Sequence, residues 1–155
     1  MFDDTEDLLE KLEQSIHEVL QSTIWQDPIY LGIEEVPSFS VSNKVTGLIR
    51  FHGSEHPDGM IGISMSKAFT AFVVSKITGL PEDDFTEDDL LDGAAELTNM
   101  IAGRFKSSAN FGSTSLSPPV AIIGTQFRAI WKTRRSTIIL TFQVDNELLQ
   151  VHASF

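Results

Sequence analysis

Near the middle of the chain, the run DGAAELTNMIAGRFKS carries Asp92, Glu96, Asn99 and Gly103 at spacings i, i+4, i+7 and i+11. On a helix that advances about 100° per residue, these four positions fall inside an arc of about 60° and stack along one ridge. Glu96 and Asn99 are one turn apart. A carboxylate beside a carboxamide on a rigid helix can do two things at once: the carboxylate holds a partner's cation and the amide holds a water. Neither group is a nucleophile. Such a pair suits a reaction in which water attacks an electrophile that arrives already activated, so that catalysis is mostly positioning. Polar residues line most exposed helix faces, and on its own the pair more often describes a solvated face.

The element that must hold this ridge is well specified. Leu90, Ala94, Ala95, Leu97, Thr98, Ile101, Ala102 and Phe105 fall within an arc of about 160° on the other side, the expected core face. Thr86 with Asp89 three residues later predicts a capping box, so the helix starts there and runs to about Ser107 or Asn110. Upstream, apolar residues from Leu8 to Leu20 predict an amphipathic helix over about 4–21, with Asp4 as a capping acceptor. Pro28, Gly32 and Pro37 leave room only for short edge strands over 26–43. The runs KVTGLIRFH and MIGISM predict a hairpin. Ser66 then precedes a second helix whose inner face is Phe69, Phe72, Val73 and Ile77 and whose stop is Gly79 with Pro81. After the motif helix come VAII, closed by Gly124, and then TQFRAIW and STIILTFQV about a KTRR turn. LLQVHAS follows, and together these runs read as an antiparallel meander. The expected architecture is α+β: a single domain over 1–155, three helices packed on a largely antiparallel sheet.

Composition narrows the function classes. The chain has 155 residues, 41% hydrophobic, with eleven Phe and no Cys, so thiol nucleophiles, thiolate metal sites and disulfides are excluded. Residues 1–99 hold 20 acids against 5 bases and residues 100–155 hold 2 acids against 6 bases. The pI near 4.6 argues against nucleic-acid binding, which needs clustered Lys and Arg. No apolar run reaches the ~18 residues of a membrane span, and the acidic N-terminus does not read as a signal peptide, so a cytoplasmic protein without a membrane partner is expected.

Other candidates carry less. His52 and His56, with Glu55 between them, could suggest a metal, but they fall in a predicted turn with no shared helical face, and no metal site is expected. His17 and His152 read as surface or boundary residues. Arg128, Lys132, Arg134 and Arg135 cluster at a turn and read as solvated. Met60 and Met65 read as core filler. Gly103 costs a helix interior about 1 kcal/mol relative to Ala, which favours a purpose such as close packing or partner approach.

The motif run, with Asp92, Glu96, Asn99 and Gly103 in their places, resembles the signature of the CheC and CheX phosphatases. GLIRFHGSEHPDGMIGISMS is similar to that family's hairpin before its second helix, SPPVAIIG to the proline segment after its active helix, and HEVLQSTI to the end of its first helix. A single motif copy resembles CheX more than the two-copy CheC. The resemblance implies a CheC/CheX-like fold and a phosphatase that removes the aspartyl phosphate of a CheY-type response-regulator receiver domain. By the same resemblance, Asn99 orients the attacking water and Glu96 docks on the receiver's active-site lysine. Asp92 and Gly103 are accessory positions of the motif. The chain would need no cofactor of its own, the Mg²⁺ being carried by the phosphorylated receiver, and it would pair as a homodimer through its sheet. Thr98 stands where relatives often carry a smaller residue. The alternative is a non-catalytic module that keeps this fold and docks on a receiver without hydrolysing it.

Overall fold

The computed structural model describes residues 2–41, 44–53, 58–124, 126–129 and 136–154. Three helices, α1 (Phe2–Ile24), α2 (Lys67–Thr78) and α3 (Glu87–Ser108), cover one face of an antiparallel sheet. The strands are β1 (Ile29–Val36), β2 (Phe39–Val41), β3 (Lys44–His52), β4 (Gly59–Met65), β5 (Ser115–Leu116), β6 (Val120–Gly124), β7 (Phe127–Ala129), β8 (Thr137–Val144) and β9 (Glu147–Ser154). The sheet runs β1-β8-β9-β4-β3, and the outer edge of β3 pairs with both β5 and β6. The three-helix α+β arrangement predicted from the sequence is the one observed.

All seven residues of β4 are buried, a pattern without the two-residue alternation of a half-exposed strand. The reason lies on the far face. There β2 and β7 form a small separate sheet that lays Phe39 and Val41 over Met60, while the helices cover Ile61, Ile63 and Met65 from the other side. A buried hydroxyl pair, Thr46 with Ser64 at 3.0 Å, joins β3 to β4 on the far face.

Several expectations need correction. The expected meander does not form, because both edges of β8 are taken by β1 and β9, and β7 leaves the main sheet to pair with β2. The basic turn residues Lys132, Arg134 and Arg135 lie outside the described residues, and Arg128 is exposed on β7. Strand β1 is longer than the prolines suggested: Gly32 absorbs a register shift against β8, and Pro28 and Pro37 flank the strand without interrupting it. Helix α1 begins at Phe2, so Asp4 lies inside its first turn and not at the capping position before it. In α2, Ile77 faces solvent at 38% exposure, and Val74 is buried in its place. His152 is not a boundary residue. It lies on a central strand, 1% exposed, with its ring 4.6 Å from that of Phe39, and burial lowers its pKa to about 4.

Candidate functional site

Helix α3 starts where the sequence specifies. The Thr86 hydroxyl accepts from the Asp89 backbone N–H at 3.2 Å, and the Asp89 carboxylate accepts from the Thr86 N–H at 2.8 Å. Glu87, Asp88 and Asp89 place negative charge on the positive end of the helix dipole. Its inner face is Leu90, Ala94, Leu97, Thr98, Ile101, Ala102 and Phe105, all buried; Ala95, at the rim of the expected arc, is half-buried. At the far end the Phe105 ring packs edge-on against Phe51 of β3 at 5.8 Å and against Phe111 at 5.3 Å, which anchors this end of the helix.

Two glycines set how deeply this helix sits. A Cβ at Gly47 of β3 would lie 1.9 Å from Thr98 Oγ1 and 2.8 Å from the Ala94 carbonyl oxygen, so the bare backbone lets α3 approach the sheet at this point. The Thr98 hydroxyl donates to that same Ala94 carbonyl at 2.7 Å, which satisfies it in the buried contact. At Gly93 a Cβ would lie 2.1 Å from Val74 Cγ2, so the missing side chain leaves room for Val74 of α2 on the other flank. On the α1 side, Arg104 pairs with Glu18. Sequence reasoning missed Gly47. Its signal was present as a lone glycine inside a strand-forming run, which marks a close backbone approach.

With the helix seated in this way, Asp92, Glu96 and Asn99 are all exposed, while Leu97 and Thr98 between them are buried. Among the described residues, neither the Glu96 nor the Asn99 side chain has a hydrogen-bond or ion-pair partner. At Gly103 an added Cβ meets nothing within 4 Å, so packing within the chain does not require this glycine. The ridge is therefore polar and open to solvent. An exposed pair on one helix does not by itself enclose a small substrate, but it can enter a concave site on a macromolecule. Asp92 and Glu96 also line one side of a groove of about 400 Å³ between α2 and α3; Asn99 stands outside it.

No set of three His, Cys, Asp or Glu side chains that could hold a metal occurs among the described residues. His52 is exposed on β3, and Glu55 and His56 lie outside the described residues. No described helix is long and apolar enough to cross a membrane.

A model of the family described as chemotaxis phosphatase CheX matches residues 45–143, a span that includes the hairpin, α2, the motif helix and most of β8. The chain belongs to the CheX family. Solved structures with CheX-type folds agree over nearly the full length. A CheC-like superfamily protein from Shewanella sp. PV-4 has TM-score 0.80 at 19% identity, covering 95% of this chain and 96% of the other. The chemotaxis protein CheX from Desulfovibrio desulfuricans has TM-score 0.78 at 20% identity, covering 95% and 97%. A complex of CheX with CheY, BeF₃ and Mg²⁺ from Borrelia burgdorferi contains a chain with TM-score 0.71 at 22% identity, covering 96% and 97%. At these identities the structures share the CheX fold with this chain. No curated protein matches the sequence significantly.

Proposed function

We propose that this protein hydrolyses the aspartyl phosphate of a CheY-type receiver domain, with Asn99 orienting the attacking water and Glu96 docking on the receiver's active-site lysine. One observation carries the reading: on α3, Glu96 and Asn99 stand exposed and unpartnered within the described residues, while the helix beneath them is fixed by Gly47, Gly93 and Phe105. Family membership supplies the reaction class. The Borrelia CheX was captured with CheY, BeF₃ and Mg²⁺, which supports a receiver as partner and the metal as the receiver's. The Mg²⁺ on the receiver would neutralise charge on the phosphoryl oxygens. This chain contributes position. The Asn99 amide can accept from and donate to a water, holding it in line with the phosphorus. The Glu96 carboxylate fixes the register of the helix by pairing with an ammonium group. Asp92, one turn toward the N-terminus, adds negative potential on the same ridge.

The protein also pairs as a homodimer in this reading. Strand β1 is an eight-residue open edge carrying Ile29, Leu31 and Ile33 at 60%, 52% and 50% exposure. Long apolar edges are otherwise prone to aggregation and are covered in stable proteins. Because β1 lies at the opposite end of the sheet from β3, on which α3 rests, a two-fold β1 interface leaves both motif helices open. Light scattering should give twice 17.2 kDa, and Leu31→Lys should give a monomer; a monomeric wild-type protein at micromolar concentration contradicts the pairing. The cytoplasm, where receiver domains operate, is the matching compartment. The function itself is tested by following the decay of phosphorylated CheY-type receivers with and without the protein: acceleration supports it, and unchanged decay of every receiver tried refutes it.

A further inference from the structure

We infer that the groove between α2 and α3 is a specificity contact, receiving an apolar side chain flanked by Lys or Arg on the surface of the receiver whose lysine Glu96 engages. This rests on the receiver-phosphatase reading and deepens it. The groove holds about 400 Å³, and its apolar lining is Val74, Ile77, Leu80 and Phe85. Leu80 is 56% exposed and Ile77 38%, so the groove presents apolar side chains to solvent. The lining is also acidic: Asp84 lies in the turn before α3, Asp92 and Glu96 on α3 itself, with no Lys, Arg or His among the lining residues.

Three further features point to a cationic, part-apolar occupant. The C-terminus of α2 opens here, through Ile77 and Thr78, and helix C-termini carry partial negative charge. Asp89, also in the lining, is held in the capping box by Thr86, so Asp84, Asp92 and Glu96 are the carboxylates left to meet a partner. Glu96 belongs to both ridge and groove. A receiver whose lysine meets Glu96 therefore lies over the groove mouth, and its neighbouring surface must fill the groove or leave it wet. Acidic or bulky polar side chains at that position on a receiver would be repelled, which gives a means of choosing among receivers that share the same active-site chemistry.

The test uses the full-length protein and CheY-type receiver domains of the source genome, phosphorylated with acetyl phosphate. Asp84→Lys and Leu80→Ala leave Glu96, Asn99 and the capping box untouched. Each should raise KM by about tenfold with kcat held within about twofold, because lining charge and groove filling act on encounter and binding. The Asp84→Lys effect should shrink as salt is raised. Matching melting temperatures establish that the variants are folded. If both variants keep the wild-type KM at low salt while the wild-type protein is an active receiver phosphatase, the groove contact is overturned and the proposed function stands. If the wild-type protein accelerates no receiver, both fall.

Discussion

Replacing Gly47 by Ala should damage the site without touching it. The new Cβ would sit 1.9 Å from Thr98 Oγ1 and 2.8 Å from the Ala94 carbonyl oxygen, against an ordinary contact of 3.4 Å or more. Either α3 retreats by about 1.5 Å at Thr98 or the threonine rotates and loses its bond to the Ala94 carbonyl. Rotation alone cannot clear the carbonyl, which is backbone, so some retreat follows in any case. Overpacking of this kind costs about 1 to 3 kcal/mol, and about 1 kcal/mol shifts the melting temperature by roughly 2 to 4 °C in a chain of this size. Asn99 is the next residue along, and in the proposed mechanism a misplacement of about 1 Å would cost on the order of 10²-fold in rate. Receiver dephosphorylation at saturating protein and a thermal melt measure both effects. Adding Thr98→Ala to Gly47→Ala should return part of the stability, since the nearest clashing atom is gone, and the two changes should couple rather than add. Wild-type stability and turnover in the Gly47→Ala variant would refute the argument that this glycine sets the height of α3.

His152 makes stability depend on pH. Its folded pKa of about 4 lies below its unfolded value near 6.5, so between these values the unfolded chain binds the extra proton, and stability falls as pH drops from about 6.5 toward 4, by roughly 3 kcal/mol in total. Urea unfolding at pH 7, 6 and 5 should show this slope, and an equal slope in His152→Leu would rule His152 out as its source. Gly103→Ala should raise stability by about 1 kcal/mol, because open space surrounds the site and Ala is the better helix former. If a receiver approaches there, the same variant raises KM, and an unchanged KM places Gly103 outside the interface.

The motif helix was the most legible part of the chain, because both of its signals are local. Thr86 with Asp89 fixes its start by reciprocal hydrogen bonds, and the 3.6-residue period separates Glu96 and Asn99 from the buried Ile101 and Phe105. The hairpin of β3 and β4 and the caps of α2 were readable for the same reason. Contacts between distant segments were not. Nothing near Phe127 in sequence shows that β2 will claim it, since β8 loses its free edges only after β1 and β9 have paired with it. His152 looked like a boundary residue because the layer that buries it, β2 with β7, is itself a long-range pairing. Gly47 and Gly93 are meaningful only once α3 is laid against β3 and α2. The residues of the proposed chemistry lie on one helix, and the depth at which that helix sits is set by residues elsewhere in the chain.

The assignment rests most directly on the side-chain amide of Asn99. The decisive measurement compares wild type, Asn99→Ala and Glu96→Ala on a phosphorylated receiver at saturating and sub-saturating protein, together with binding to the same receiver carrying BeF₃ and Mg²⁺. An amide that only orders a water acts in the transition state, so Asn99→Ala should lower kcat by about 10²-fold or more with affinity nearly unchanged. A carboxylate paired with a lysine acts already in the bound complex, so Glu96→Ala should weaken binding by roughly 2 to 5 kcal/mol. Wild-type turnover in Asn99→Ala, with receiver binding intact, would contradict the water-orienting role and leave the protein as a docking module.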